Sequence, residues 1–298
     1  MEALIDPFGV TFVQRALWGG ALVSLICAIA GTWVVLRGMA FLGDAMSHGM
    51  LPGVALAALL GQSLFLGAAL AAGAMAAGVT LLNRSPRLSQ DTSIGLLFVG
   101  MLSLGVILVS HSATFAVDLT GLLFGDVLAV RERDLWHLGI CLLVALVVAV
   151  VGHRAFMALA FDPRKAHTLG LAPRAAHAAM LALVTLAVVA SFHVVGTLLV
   201  FGLLIAPPAA AVPWARSVPT IMCAAALIGV ASTFVGLLAS WHWETAAGAS
   251  IAATAVAFFF VSLALSTLRS RLARRERPTP PSATTSSHPR LEERSMTP

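Results

Sequence analysis

Nine apolar runs of about 20 residues recur along the chain, each long enough to cross the ~30 Å hydrocarbon core of a bilayer as a helix. They fall at roughly 12–36, 41–60, 64–82, 92–110, 135–153, 175–192, 194–212, 219–240 and 245–268. The chain is 59% apolar and only 10% charged, and its mean hydropathy of +0.95 is far above what one soluble core can bury. Inside a bilayer the backbone must satisfy its own hydrogen bonds, so runs of this length can only be helices. The expected fold is all-α: a polytopic transmembrane helical bundle over residues 1–269, followed by a basic tail over 270–298.

Nine crossings put the termini on opposite sides, and the basic residues choose which way round. With the N-terminus outside, the cytoplasmic segments hold Arg37, Arg84, Arg87, Arg154, Arg164, Lys165, Arg174, Arg216 and the seven arginines from Arg269 onward. Only Arg15, Arg131 and Arg133 fall outside. The reverse orientation inverts that ratio, so the C-terminus is expected in the cytoplasm. This distribution also argues against nucleic acid as the reason for the formal charge of +5. The start carries Glu2 and Asp6 and no base before Arg15, unlike a signal peptide, so the first run is expected to stay as a span.

Three connections stand out. The outer segment 111–134 contains a semi-apolar stretch, Leu119–Val130, that reads as a short surface helix, with Asp118, Asp126, Glu132 and Asp134 around it. It is open between a solvated loop and an electrostatic funnel or docking surface. The inner segment Phe161–Leu171 offers Asp162 as N-cap, Pro163 at the first helical position and Gly170 as a stop, which predicts a two-turn helix. It is either a connector or a lever for a cytoplasmic partner. From about residue 270 the composition turns to Arg, Pro, Ser and Thr, predicting a disordered tail whose first arginines meet anionic lipid.

The polar groups inside the apolar runs are the candidates for function. Asp44 and His48 are four apart, so on a helix they share a face. A central Asp costs about 2.5–3.5 kcal/mol to insert, and such groups face a bundle interior or a water-filled path. Together they offer one oxygen and one nitrogen ligand, too few for a structural zinc site but suited to an ion that must leave again. The competing reading makes Asp44 a helix cap and His48 a packed side chain. Pro52 and Gly53 are expected to interrupt this helix, and Pro207 and Pro208 to interrupt the seventh span. His242 and Glu244, in a Trp-His-Trp-Glu turn before the last span, are open between an outer way-station for a cation and an exposed polar turn. His193 falls near the outer side as a further path candidate, while His111, His137, His153, His167 and His177 receive no role. Cys27, Cys141 and Cys223 sit in apolar runs without CxxC spacing and read as small core residues.

The chain has no Gly-x-x-x-x-Gly-Lys-Ser/Thr phosphate loop, no His-Glu-x-x-His and no arginine series of a voltage sensor. It also shows no nucleophile–base constellation for catalysis. Three classes compete: a metal permease that meets a cytoplasmic partner through the capped inner helix, a secondary transporter using Asp44 and His48 as a proton relay, and a membrane-embedded enzyme or structural scaffold.

Four segments carry a resemblance. They are Arg37-Gly-Met-Ala-Phe-Leu-Gly-Asp-Ala-Met-Ser-His-Gly-Met-Leu-Pro-Gly53; Asp91-Thr-Ser-Ile-Gly95; Asp118-Leu-Thr-Gly-Leu-Leu-Phe-Gly125; and Phe161-Asp-Pro through Leu169-Gly170, followed by Val194-Val-Gly-Thr and Leu204-Ile-Ala-Pro-Pro-Ala209. In this order the chain, from about residue 12 to 268, resembles the membrane permeases of bacterial ATP-binding-cassette importers for zinc, manganese and iron. The resemblance implies a multi-pass protein of the inner membrane that is not itself an enzyme and holds no permanent cofactor. It implies a homodimer, two cytoplasmic ATPase subunits that bind ATP, and an external metal-binding protein. It makes Asp44 and His48 the match for the family's metal-passage pair. It makes Phe161, Asp162, Pro163, Arg164, Lys165, Leu169 and Gly170 the match for the helix that docks on the ATPase. Family members carry an acidic, proline-bearing turn where this chain has Trp-His-Trp-Glu, so His242 and Glu244 do not inherit a role cleanly. With several histidines toward the outside, zinc is the expected cargo, ahead of manganese and iron.

Overall fold

Every apolar run becomes helix. The structure, a computed structural model, describes residues 10–83, 89–110, 125, 127–161 and 172–275, and among them no strand is present. The helices are α1 (Thr11–Leu36), α2 (Ala40–Gly49), α3 (Leu51–Leu59), α4 (Leu64–Leu82), α5 (Gln90–Ser110), α6 (Glu132–Phe161), α7 (Pro173–Ala211), α8 (Val218–Trp243) and α9 (Ala247–Arg275), with a 3-10 turn at Val127–Ala129. Among the described residues, eight helical segments are long and apolar enough to cross a membrane. α2 and α3 are two shorter helices in succession, of 10 and 9 residues, whose summed helical rise is about 30 Å.

α1 is the axle of the bundle. Its middle is buried on all sides (Ile26, Cys27, Ala30, Trp33 and Val34), and it packs against α6, α7 and α8. Contacts along α1 fix the direction of each neighbour. Arg15 pairs with Glu132 at 2.9 Å, and Trp33 meets Phe156, so α6 runs from the Arg15 end to the Arg37 end. Arg37 meets His177, and Gly19 lies against Val194, so the first arm of α7 runs back. Gly31 lies against Leu204 and Pro208, so the second arm returns to the Arg37 end. α8 passes Ser24 at Gly229 and reaches Phe12 at Trp241. α9 descends again, since Trp214 donates its indole N–H to Ser262 at 2.7 Å and Arg269 stacks over Trp214. α2–α3 leaves the Arg37 end, α4 returns through the Gly53–Gly67 contact, and α5 starts beside Met39 and passes Leu51 at Gly105. The chain therefore alternates between the two ends, with Thr11 at one and Arg275 at the other.

The reversal in α7 sits at Gly196, where φ is 73° and ψ 168°. Only glycine adopts that conformation without strain. Gly125 (φ 63°) presses its backbone directly on Val195 and Gly196, so two of the segments quoted above meet there. The expectation that Pro207 and Pro208 break the span is corrected, because the helix runs on through both to Ala211. Their effect is local. Pro208 has no N–H for the carbonyl of Leu204, four residues back, and Gly31 of α1 packs on that carbonyl.

Two turns close on the same device. At the end of α1, Met39 N–H donates to Val34 O at 2.9 Å and Gly38 N–H to Val35 O at 3.1 Å, with Gly38 at φ 65°. At the end of α3, Gln62 N–H donates to Ala57 O and Gly61 N–H to Ala58 O, with Gly61 at φ 62°. Both are Schellman caps, which satisfy the last helical carbonyls and reverse the chain in two or three residues.

Candidate metal-passage site

α2 is short because it is bounded by that Schellman cap before it and by Met50 after it. The break falls at Met50, just ahead of the expected Pro52–Gly53. Pro52 then occupies the first turn of α3, where its missing N–H has no intrahelical acceptor to disappoint. Gly53 serves close approach rather than the break, since it lies against the backbone of Gly67 in α4. Gly49 similarly makes room for the sulfur of Met75, and Gly43 for Leu204. Small residues on one side thus sink α2–α3 into the bundle, with Leu42, Met46 and Ser47 buried beneath.

On the other side of α2 stand Asp44 and His48. His48 Nε2 lies 3.4 Å from Asp44 Oδ1, and both side chains are about one-third exposed, 33% for Asp44 and 29% for His48. Phe98 of α5 faces the His48 ring edge-on at 6.0 Å and also meets Phe41 at 5.6 Å. This partly exposed acid–imidazole pair, with Phe98 against His48 and Phe41 behind Phe98, brings one carboxylate and one imidazole side by side. Counting 1.5 Å per residue from Ala40, Asp44 lies about 6 Å and His48 about 12 Å into the passage from the Arg37 end. Among the described residues no three His, Cys, Asp or Glu side chains come together to hold a metal, so the site offers two candidate ligands per chain.

The other candidates do not join this pair. His242 lies at the opposite end, exposed, and its Nδ1–H donates to Leu238 O at 2.9 Å, closing its own helix. Glu244 is the left-handed cap of α8 (φ 50°), a position glycine usually takes. His193 lies in α7 between Phe192 and Val194, and its side chain is outside the described residues. The 162–171 segment is also outside them, as are the side chain of Phe161 and most of 111–126, so Asp162, Pro163, Arg164, Lys165, Leu169 and Gly170 receive no structural placement. α9 continues as helix through Arg275, past the expected boundary at 269. Of the cysteines, Cys27 is core, Cys141 is partly exposed and Cys223 is exposed. The expectation that all three are core fails because an outward-facing site on a span is as apolar as a core.

Sequence reasoning missed two histidines. His177 accepts a hydrogen bond at Nδ1 from Arg37 Nη1 at 3.1 Å, and His153 stacks edge-on against Trp33 at 5.8 Å. These pairs are separated by more than a hundred residues in the chain, and no local spacing could have joined them.

The family model of the ABC 3 transport family matches residues 9–266. The chain is 38% identical over 256 residues to the manganese transport system membrane protein MntC of Halalkalibacterium halodurans, covering 84% of this chain and 87% of that protein. It is 34% identical over 268 residues to a probable iron transport system membrane protein of Haemophilus influenzae, covering 90% and 98%. The solved complex described as PsaBC from Streptococcus pneumoniae with Fab superposes with a TM-score of 0.80 at 30% identity, covering 91% of this chain and 98% of that one.

Proposed function

The chain belongs to the ABC 3 transport family, and from that membership we propose that it carries manganese or iron through the membrane with Asp44 and His48 as a stop on the ion's path. It is the multi-pass membrane permease subunit of an ATP-binding-cassette metal importer, not an enzyme. ATP hydrolysis then falls to a separate pair of cytoplasmic ATPase chains, which agrees with the missing phosphate loop. An external binding protein delivers the metal.

The observation that carries the site is the pair itself: carboxylate and imidazole 3.4 Å apart, half-open, on a broken helix. Carboxylate oxygen suits manganese, and one oxygen with one nitrogen suits ferrous iron. The relatives' names carry manganese and iron, so the sequence-based preference for zinc yields to those two. Two ligands hold an ion weakly, as passage requires. A second copy of the chain, bringing its own pair to the open face beside Phe41 and Phe98, completes a four-ligand stop on a two-fold axis. With the Arg37 end in the cytoplasm, as the basic residues favour, the pair lies in the inner half of the membrane. Alternating access of two such bundles opens that stop to one side at a time.

The test is uptake into proteoliposomes holding the permease with its ATPase and binding protein. ATP-dependent accumulation of manganese or iron, with zinc taken up poorly, is expected. Preferred uptake of zinc would overturn the cargo assignment, and uptake by the permease alone on an ion gradient would overturn the ATP-driven reading.

A further inference from the structure

The inner end of α1 touches both helices that flank the 162–171 segment and leads directly into the helix that bears Asp44 and His48. Trp33, fully buried, meets His153 at 5.8 Å and Phe156 at 5.3 Å, both edge-on, near the end of α6. One turn later, Arg37 donates to His177 Nδ1 at 3.1 Å, in the second turn of α7. Arg37 can only donate, so the hydrogen bond sets His177 as the acceptor at Nδ1. The other ring nitrogen, Nε2, is buried and bonded to no protein atom, so the Arg37 contact is what holds the ring.

After Arg37 the chain has little slack. Gly38 and Met39 close the Schellman cap of α1, and Leu42 N–H already donates to Met39 O at 2.9 Å. Gln90, at the start of α5, donates its amide to Met39 Sδ at 2.6 Å and fixes the turn from the other side. A cap with both bonds made transmits displacement instead of absorbing it. Asp44 follows within seven residues of Arg37. Phe98, which walls His48, stands on α5 two turns from Gln90.

We infer that Trp33 and Arg37 form a clamp that passes movement of the inner ends of α6 and α7 to the metal pair. Neither residue touches the metal; both are positioning residues. When the two inner ends move together, the clamp carries the end of α1, the Gly38–Met39 turn and the base of α2, and the Asp44–His48 geometry changes. This rests on the permease reading above and adds to it the residues that link ATPase docking to the ion site. A static staple would show the same contacts, but it would not be needed for energy coupling once the protein is folded.

The experiment uses the assembled transporter in proteoliposomes. Arg37→Gln and His177→Ala break the polar jaw. Arg37→Lys keeps a donor, and His177→Asn keeps an acceptor where Nδ1 lies. Two readouts are taken: metal ions moved per ATP hydrolysed, and the distance between spin labels at the position of Ala40 and at the inner end of α6, with and without ATP. In the broken variants, ATPase turnover is expected to persist while ions per ATP fall at least tenfold. The double variant should fall no further than the singles, because they remove one contact. The nucleotide-dependent distance change should vanish in the broken variants and return in the two conservative ones. Coupling and distance change equal to wild type in Arg37→Gln and His177→Ala would overturn the clamp while leaving the permease reading intact. Loss of the distance change in all four variants alike, conservative ones included, would also overturn it, as a staple gives that result. A wild type that moves no metal overturns the permease reading and takes the clamp with it.

Discussion

Gly53→Ala isolates what holds the broken helix in place. A Cβ at Gly53 would press on the carbonyl of Gly67 and come within 2.6 Å of the Ala71 Cβ, so backbone must move. Overpacking of this kind costs about 1–3 kcal/mol. Against it stands the gain of replacing glycine in a helix, about 0.5–1 kcal/mol. Gly73→Ala in α4 supplies the control, because nothing lies within 4 Å of its Cβ and it collects the same gain without the clash. The difference between the two variants therefore reports the clash alone, about 1–3 kcal/mol. At roughly 2–4 °C per kcal/mol for chains of 150–250 residues, Gly53→Ala should melt about 2–12 °C below Gly73→Ala. The assay is thermal unfolding of the purified permease in detergent, followed by a probe of helix content. Coincident melting of the two variants would refute the reasoning that α3 and α4 meet backbone to backbone, and with it the footing of the Asp44 helix.

Two further outcomes follow from the topology and the inner segment. Cysteines introduced as Glu132→Cys and Arg216→Cys, in a background without the native three, should react with an impermeant reagent from outside and from inside respectively; the reverse pattern would invert the orientation. Charge reversal at Arg164 and Lys165 should leave the permease folded but separate ATP hydrolysis from uptake, and unchanged ions per ATP would count against that segment as the ATPase-docking lever.

The passages were legible in the sequence because length and hydropathy decide them: a run of about 20 apolar residues has one stable form in a bilayer. The interruption of the second passage was legible too, although Pro52 pointed only to its neighbourhood. Proline reads as a breaker, yet here it sits in the first turn of α3 and the break falls two residues earlier, at Met50. Pro207 and Pro208 misled for the same reason: a proline removes one hydrogen bond, and the freed Leu204 carbonyl is absorbed by the close approach of Gly31. The reversal between the spans expected at 175–192 and 194–212 was legible to within a few residues, but its seat at Gly196 was not, because a lone glycine in an apolar run looks like packing until its φ is known. Asp44 and His48 were legible as a pair, since i, i+4 spacing on a helix dictates the shared face. Their depth was not, because it depends on where α1 ends, and that is set by the Schellman cap at Gly38. The Arg37–His177 and Trp33–His153 contacts were beyond sequence reasoning, since only tertiary packing brings them together.

The central claim is that the Asp44–His48 pair is a stop for the permeating metal. Its most direct test is ATP-driven manganese uptake by the assembled transporter carrying Asp44→Asn or His48→Gln, substitutions that keep size and remove a ligand. Outer-shell partners of metals are worth about 10–100-fold, so loss of a direct ligand should lower uptake at least tenfold. Assembly with the ATPase and its basal turnover should persist. Uptake within twofold of wild type in both variants would contradict the claim.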